Sequence, residues 1–162
     1  MPDDRRETFE KFCRDEYAAV VRGAYLITGD PEEAAEVAQE AFARAYERWR
    51  LVSRLDRPGA WVPRVAANLA ISWLRRRRRQ ARLPVKLDTT ASDDPAPADP
   101  ELMEALQSLT PAQRSVIVLR YVADQSVEET ARSLGKRPGT VRALTSQGLA
   151  RLRLHLSKGG HR

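Results

Sequence analysis

One cysteine among 162 residues rules out an internal disulfide, so no covalent staple holds this chain. Cys13 falls in an apolar stripe with Phe9, Phe12 and Tyr17 and reads as a small core residue, which suits a reducing compartment. Histidine is nearly as scarce. His155 and His161 stand without partner histidines or cysteines at ligand spacing, so no metal site is expected. A P-loop, a Gly-rich dinucleotide turn and a nucleophile motif are all lacking, so the chain reads as a non-enzyme without a cofactor. No apolar run approaches the roughly 20 residues of a membrane span. The opening MPDDRRETFEKF has no apolar core of the signal-peptide kind. The expectation is a soluble, cytoplasmic protein with no membrane partner. Strand-like alternation and internal repeats are lacking as well.

What the chain does have is charge and helical period. Charged residues make up 31% of it, the net charge is +6 and the pI is near 10.0. Such a balance favours polyanions, either nucleic acid or an anionic surface. Asp4 with Glu7 predicts a capping box, followed by Phe9, Phe12, Cys13, Tyr17, Val20, Ala24 and Ile27 at helical steps. Gly29 stops that helix, and DPEE restarts the chain at Asp30 with a cap, a first-turn proline and acids at the positive helix end. The same dipole accounts for Glu32, Glu33 and Glu36. Ala35, Ala38, Phe42, Ala45 and Trp49 form the next buried stripe. A turn is predicted over LDRPGA (55–60), then a long helix from near Gly59 or Ala60 to about Arg82, with Pro63 in its first turn or at a kink.

Residues 83–100, LPVKLDTTASDDPAPADP, are rich in proline and aspartate and poor in large apolar groups, the composition of a flexible acidic linker. Fully extended they span roughly 60 Å, more than the about 34–36 Å of one duplex turn. The fold class is therefore all-α: two small helical domains, 1–82 and 101–162, on a tether. In the second, Leu102, Ala105, Leu106 and Leu109 predict one helix, and TPAQ (110–113) and SVEE (126–129) predict two capping boxes. Gly135 ends the third helix. The last carries an inner stripe of Val141, Thr145, Gly148, Leu152 and Leu156.

A short helix, a glycine turn and a second helix make a helix-turn-helix. With Val141 and Thr145 turned inward, Thr140, Ala143, Ser146, Gln147 and, at the margin, Arg142 face outward toward base edges. Lys136, Arg137 and the free amides of the helix start can reach phosphates. A second candidate surface is NLAISWLRRRRR (68–79), where Arg75, Arg76, Arg77, Arg78 and Arg79 share a helix with Trp61, Asn68 and Trp73. Arginine binds phosphate bidentately, asparagine can pair with adenine and an aromatic ring can support an unstacked base. Such a helix suits one DNA strand as well as a duplex.

Three passages carry a family resemblance. DPEEAAEVAQEAFARAYERW (30–49), RPGAWVPRVAANLAISWLRRRRR (57–79) and LTPAQRSVIVLRYVADQSVEETARSLGKRPGTVRALTSQGLARLR (109–153) resemble, in order, the polymerase-binding, −10-reading and −35-reading segments of extracytoplasmic-function (ECF) sigma factors. These are the smallest class of the sigma-70 family of bacterial RNA polymerase subunits. The resemblance implies core RNA polymerase and promoter DNA as partners, and allows an anti-sigma factor. It implies that Glu36, Gln39 and Glu40 dock on polymerase, with Phe42 assigned to packing. It implies that Arg64 and Asn68 read the −10 element, that the turn 53–58 captures a flipped base, and that Arg75 to Arg79 hold backbone. The acidic stretch Asp88 to Asp99 would lie in the RNA path. Ser72 departs from a frequent aspartate, and Pro63 from a common aromatic. TVRALTSQG departs from the usual Thr-Val-Lys-Ser and a later arginine, so readout there leans on shape and phosphates. Without the resemblance, a stand-alone DNA-binding regulator and a helical interaction module remain open.

Overall fold

The structure, a computed structural model, describes residues 2–80 and 99–159, and every regular element among them is an α-helix. The first bundle holds α1 (Pro2–Thr28), α2 (Pro31–Glu47), α3 (Trp49–Val52) and α4 (Pro58–Gln80). Helix α1 starts before the expected cap at Asp4; Asp3 and Asp4 lie inside its first turn, where their charge meets the positive helix end. Gly29, at φ 68°, closes it by donating its N–H to the Tyr25 carbonyl at 2.8 Å. One Asp30 carboxylate oxygen then accepts from the amides of Glu32 and Glu33 at 3.0 and 3.2 Å, with Pro31 at the first helical position.

Helices α1, α2 and α4 pack on one another largely through alanines: Ala24, Ala34, Ala38, Ala41, Ala45, Ala66, Ala67 and Ala70 are all at most 4% exposed. Small side chains allow interaxial distances near the lower limit of about 8 Å. Aromatics fill the far end, with Phe9 and Phe12 packed 5.3 and 5.0 Å from Trp49. Trp49 is buried as expected, but in α3 rather than α2, since the chain breaks at Arg48. Tyr17 is half exposed and Ala35 half-buried, while Ala34, Val37 and Ala41 are buried, so the inner face of α2 is shifted and broader than the predicted stripe. Helix α4 begins at Pro58, which places Pro63 in the helix interior rather than its first turn. A proline there leaves the Gly59 carbonyl without its intrahelical donor.

The expected flexible linker lies outside the described residues except for its end. Asp99 and Pro100 belong to the helix that follows: Asp99 accepts from the Glu101 amide at 2.8 Å and caps α5 (Pro100–Gln107). Helices α6 (Pro111–Tyr121), α7 (Val127–Leu134) and α8 (Pro138–Gly159) complete the second group. The TPAQ box forms in both directions, each bond at 3.2 Å. The SVEE box forms in one: Ser126 Oγ accepts from the Glu129 amide at 3.0 Å, while the Glu129 carboxylate turns elsewhere. Gly135, at φ 62°, ends α7, and the Lys136 amide reaches back to the Ala131 carbonyl at 2.9 Å. Along α6, Val116, Ile117, Val118 and Leu119 are all buried, because α7 and α8 cover one side and α1 and α4 the other. A helical turn apolar on every side belongs in a core.

Candidate nucleic-acid interface

Two cationic surfaces emerge from this frame. On α4, Asn68, Arg75, Arg76, Arg78 and Arg79 are exposed, and Trp61 is half-buried against the bundle core. The five arginines are not equivalent. Arg77 stacks over the Trp73 ring at 5.0 Å and lies 3.8 Å from the Asp30 carboxylate, so it braces α4 against the start of α2. Arg75 donates to the Leu134 carbonyl at 3.1 Å. Arg64 is engaged by α7 and the turn before it: it donates to the Asp124 carbonyl at 3.2 Å and pairs with Glu129 at 3.0 Å.

On the helix-turn-helix, Arg137, Thr140, Arg142, Ala143, Ser146 and Gln147 are exposed at the start of α8, and Val141 is fully buried. Lys136 is half-buried in a crevice of about 180 Å³ that also holds Arg75, Arg78 and Ser115. Arg142 pairs with Glu128 at 3.6 Å across the exposed joint of α7 and α8. Thr145 donates its hydroxyl to the Val141 carbonyl at 2.7 Å and is half-buried, as its inward placement requires. Leu156, expected in the inner stripe, is 42% exposed.

The structure adds cations that periodicity passes over. A groove of about 310 Å³ between α6, α7 and α8 is lined by Arg120, Arg142, Ser146 and Arg153 among others. Arg142, Ser146 and Arg153 fall on one α8 stripe, which is the signal the sequence offers for Arg153. Arg120 donates to the Gln125 carbonyl at 3.0 Å, a contact that only the α6–α7 turn creates.

Glu36, Gln39 and Glu40 lie together on the open side of α2, all exposed, with Glu40 paired to Arg44 at 3.1 Å. Phe42 points the other way, 7% exposed between Phe12 and Tyr17. At the start of α2 burial pushes the Glu33 carboxyl up, helped by Glu36 and Asp30 and opposed by Arg76 and Arg77. Burial and Glu10 push the Cys13 thiol up, which keeps it from acting as a reactive thiolate. Among the described residues no cluster of three or more His, Cys, Asp or Glu is placed to hold a metal, and no helix is long and apolar enough to cross a membrane.

Residues 12–80 match the family Sigma-70 region 2, and residues 100–152 match Sigma-70 region 4. The chain is 36% identical to the RNA polymerase sigma-E factor of Streptomyces coelicolor over 151 residues, 91% of this chain and 85% of the relative. The chain belongs to the sigma-70 family, in its ECF class. The ECF RNA polymerase sigma factor SigL of Mycobacterium tuberculosis is 33% identical over 159 residues, covering 90% of this chain and 88% of its own. A co-crystal structure of the sigma factor RpoE with the anti-sigma factor NepR from Bartonella quintana shares the fold. Its TM-score is 0.66 at 20% identity, over 93% of this chain and 98% of that one. This sigma factor is thus a promoter-specificity subunit whose partners are core RNA polymerase and promoter DNA.

Proposed function

We propose that the sigma factor divides its work between its two helical groups. Residues 1–82 hold core polymerase through Glu36, Gln39 and Glu40 and open the −10 region through Trp61, Arg64, Asn68, Arg75, Arg76, Arg78 and Arg79, with Arg77 bracing the helix that carries them. Residues 101–162 read the −35 region through Lys136, Arg137, Thr140, Arg142, Ala143, Ser146 and Gln147. The observation that carries this reading is the outward row of Asn68, Arg75, Arg76, Arg78 and Arg79 along one helix anchored on its other side by buried Ala66, Ala67, Ala70 and Ile71. A rigid helix can present a base-reading amide and phosphate-binding cations in fixed register. The protein itself contributes no catalytic group. It works in the cytoplasm, where polymerase and DNA are. The shared fold with a sigma factor crystallised with NepR supports an anti-sigma protein as a further partner.

Reconstitution tests the division. With core polymerase and the promoter that transcript mapping assigns to it, Asn68→Ala is expected to reduce open complexes, read by permanganate footprinting, about tenfold while leaving core affinity within about twofold; a good base pairing is worth roughly 1–3 kcal/mol. The double variant Glu36→Lys with Glu40→Lys is expected to weaken core binding at least fivefold. Equal loss of both activities in Asn68→Ala, or unchanged core binding in the double variant, would overturn these assignments.

A further inference from the structure

Between α4, the start of α6 and the turn from α7 to α8 lies a crevice of about 180 Å³, lined by Arg75, Arg78, Pro111, Ala112, Ser115 and Lys136 among others. None of its lining residues is acidic. Elsewhere in the arginine run acids are at hand: Arg77 pairs with Asp30, and Arg76 and Arg77 both act on the Glu33 carboxyl. Among the described residues Arg78 and Lys136 pair with no carboxylate, and Arg75 reaches only the Leu134 carbonyl, at 3.1 Å. Arg114, one residue before Ser115 on α6, adds to the crowding. Burial and the Arg78 charge push its guanidinium down. It donates to the Ile27 carbonyl at 3.3 Å, while its Nε is buried without a partner. Like charges held this close repel, and an anion among them removes the repulsion.

Neutral donors meet in the same space. Ser115 lines the crevice at 6% exposure, and its hydroxyl has no hydrogen-bond partner among the described residues. The first turn of α6 forms a wall. Pro111 has no N–H, and the Gln113 amide is taken by Thr110 Oγ1 at 3.2 Å. The Ala112 amide is left without an intrahelical acceptor, at the positive end of the helix. Volume then limits what can enter. The crevice equals about six water molecules at about 30 Å³ each. It falls below the roughly 300–1,000 Å³ of sites for larger organic ligands. A compact anion fits; a nucleic-acid backbone, with its sugars and bases, does not fit inside.

We propose that this crevice binds a compact phosphate anion, orthophosphate or diphosphate, gripped by Arg75, Arg78 and Lys136 with the Ser115 hydroxyl and the Ala112 amide as neutral donors. Guanidinium groups suit the oxygens of a phosphate bidentately, and the lysine adds a point charge. The anion is either free or the phosphate end of a nucleotide whose remainder stays outside. Once bound, it occupies three cations that DNA phosphates would otherwise meet. That consequence rests on the assignment of Arg75 and Arg78 to the −10 strand; the site itself rests on the crevice alone.

Isothermal titration calorimetry on the full chain tests the site with sodium orthophosphate, sodium diphosphate and GTP, against sodium chloride at matched ionic strength. Diphosphate is expected to bind with single-site stoichiometry and to raise the thermal midpoint above that in the chloride control. GTP binding as tightly as diphosphate assigns the site to the end of a nucleotide, and weaker GTP binding assigns it to the free anion. Lys136→Gln and Arg78→Gln are each expected to weaken diphosphate binding at least about fivefold. Ser115→Ala, which keeps every cation, should weaken it as well. Arg50→Gln, at an exposed arginine outside the crevice, should change it less than about twofold. Diphosphate binding no stronger than chloride, or equal loss in Arg50→Gln and the crevice variants, would overturn the site. Fluorescence anisotropy with the −10 strand of the mapped promoter reads the consequence. Diphosphate is expected to lower strand affinity in the parent chain and to do so less in Lys136→Gln. If calorimetry shows binding but the strand is not displaced, the −10 assignment of Arg75 and Arg78 falls and the anion site stands.

Discussion

At the scale of single residues, neighbours decide what a side chain is free to do. Arg77 is one of five consecutive arginines, but Trp73 and Asp30 hold it, while Arg76, Arg78 and Arg79 remain exposed. Nothing in a run of identical residues distinguishes them; the turn of the helix and the position of α2 do. Gly148 is a case of the opposite kind. A Cβ there would stand 3.0 Å from Ile117 Cγ1, so α8 crosses α6 closely at that point. Gly148→Val is expected to lower stability by about 1–3 kcal/mol, the usual cost of overpacking, as measured by urea unfolding. The spacing of Val141, Gly148 and Leu152 announces an inner face, but the closeness of the crossing is a property of two helices together.

Among elements, α2 carries the clearest local signature and the clearest conflict. Asp30 and Pro31 start it as the sequence indicates. The acids that favour its positive end also crowd one another. Glu33 is partly buried beside Glu36 and Asp30, and its folded-state carboxyl titrates above its unfolded value. A raised acid costs stability while ionised, and the cost disappears as pH falls through the folded value. Glu33→Gln is therefore expected to raise the unfolding midpoint at pH 7 and to lose that gain well below about pH 4, where the carboxyl is protonated in both states. A thermal melt at the two pH values checks the sign. Helix α7 shows where a local rule yields. SVEE predicts a reciprocal box, and Ser126 does cap the helix, but the carboxylate of Glu129 is drawn to Arg64. A box worth a fraction of a kcal/mol gives way to a charge from 65 residues upstream.

For the whole molecule, the distribution of positive charge carries the proposed grip on DNA. Each phosphate neutralised on a single strand steepens the salt dependence of binding by about 0.7 in log–log slope. Replacing Arg76, Arg78 and Arg79 together by glutamine is expected to flatten the slope of open-complex formation by about 2. Arg77→Gln should leave the slope nearly unchanged and lower stability instead. Titrating potassium chloride against promoter opening separates the two. The same distribution explains the docking of the halves. Arg57, Arg64 and Arg75 find Asp124, Glu129 and the last carbonyl of α7 because the central turn of α6, Val116 to Leu119, is buried on all sides and brings α7 beside α4.

Period, caps and composition were enough to locate most helices, to assign an all-α chain with a helix-turn-helix at its end, and to mark Asn68, the arginine block and the start of α8 as candidate DNA surfaces. These are local properties: hydrophobic spacing, a glycine at positive φ, a proline in a first turn. Tertiary structure alone decided that Trp49 begins a separate short helix, that Pro63 lies inside α4, and that Arg64, Arg75 and Arg77 are engaged while Arg76, Arg78 and Arg79 are not. Each of those outcomes depends on which surfaces meet across long stretches of chain. Burial and charge pairing act through space, and residue order records only part of that geometry.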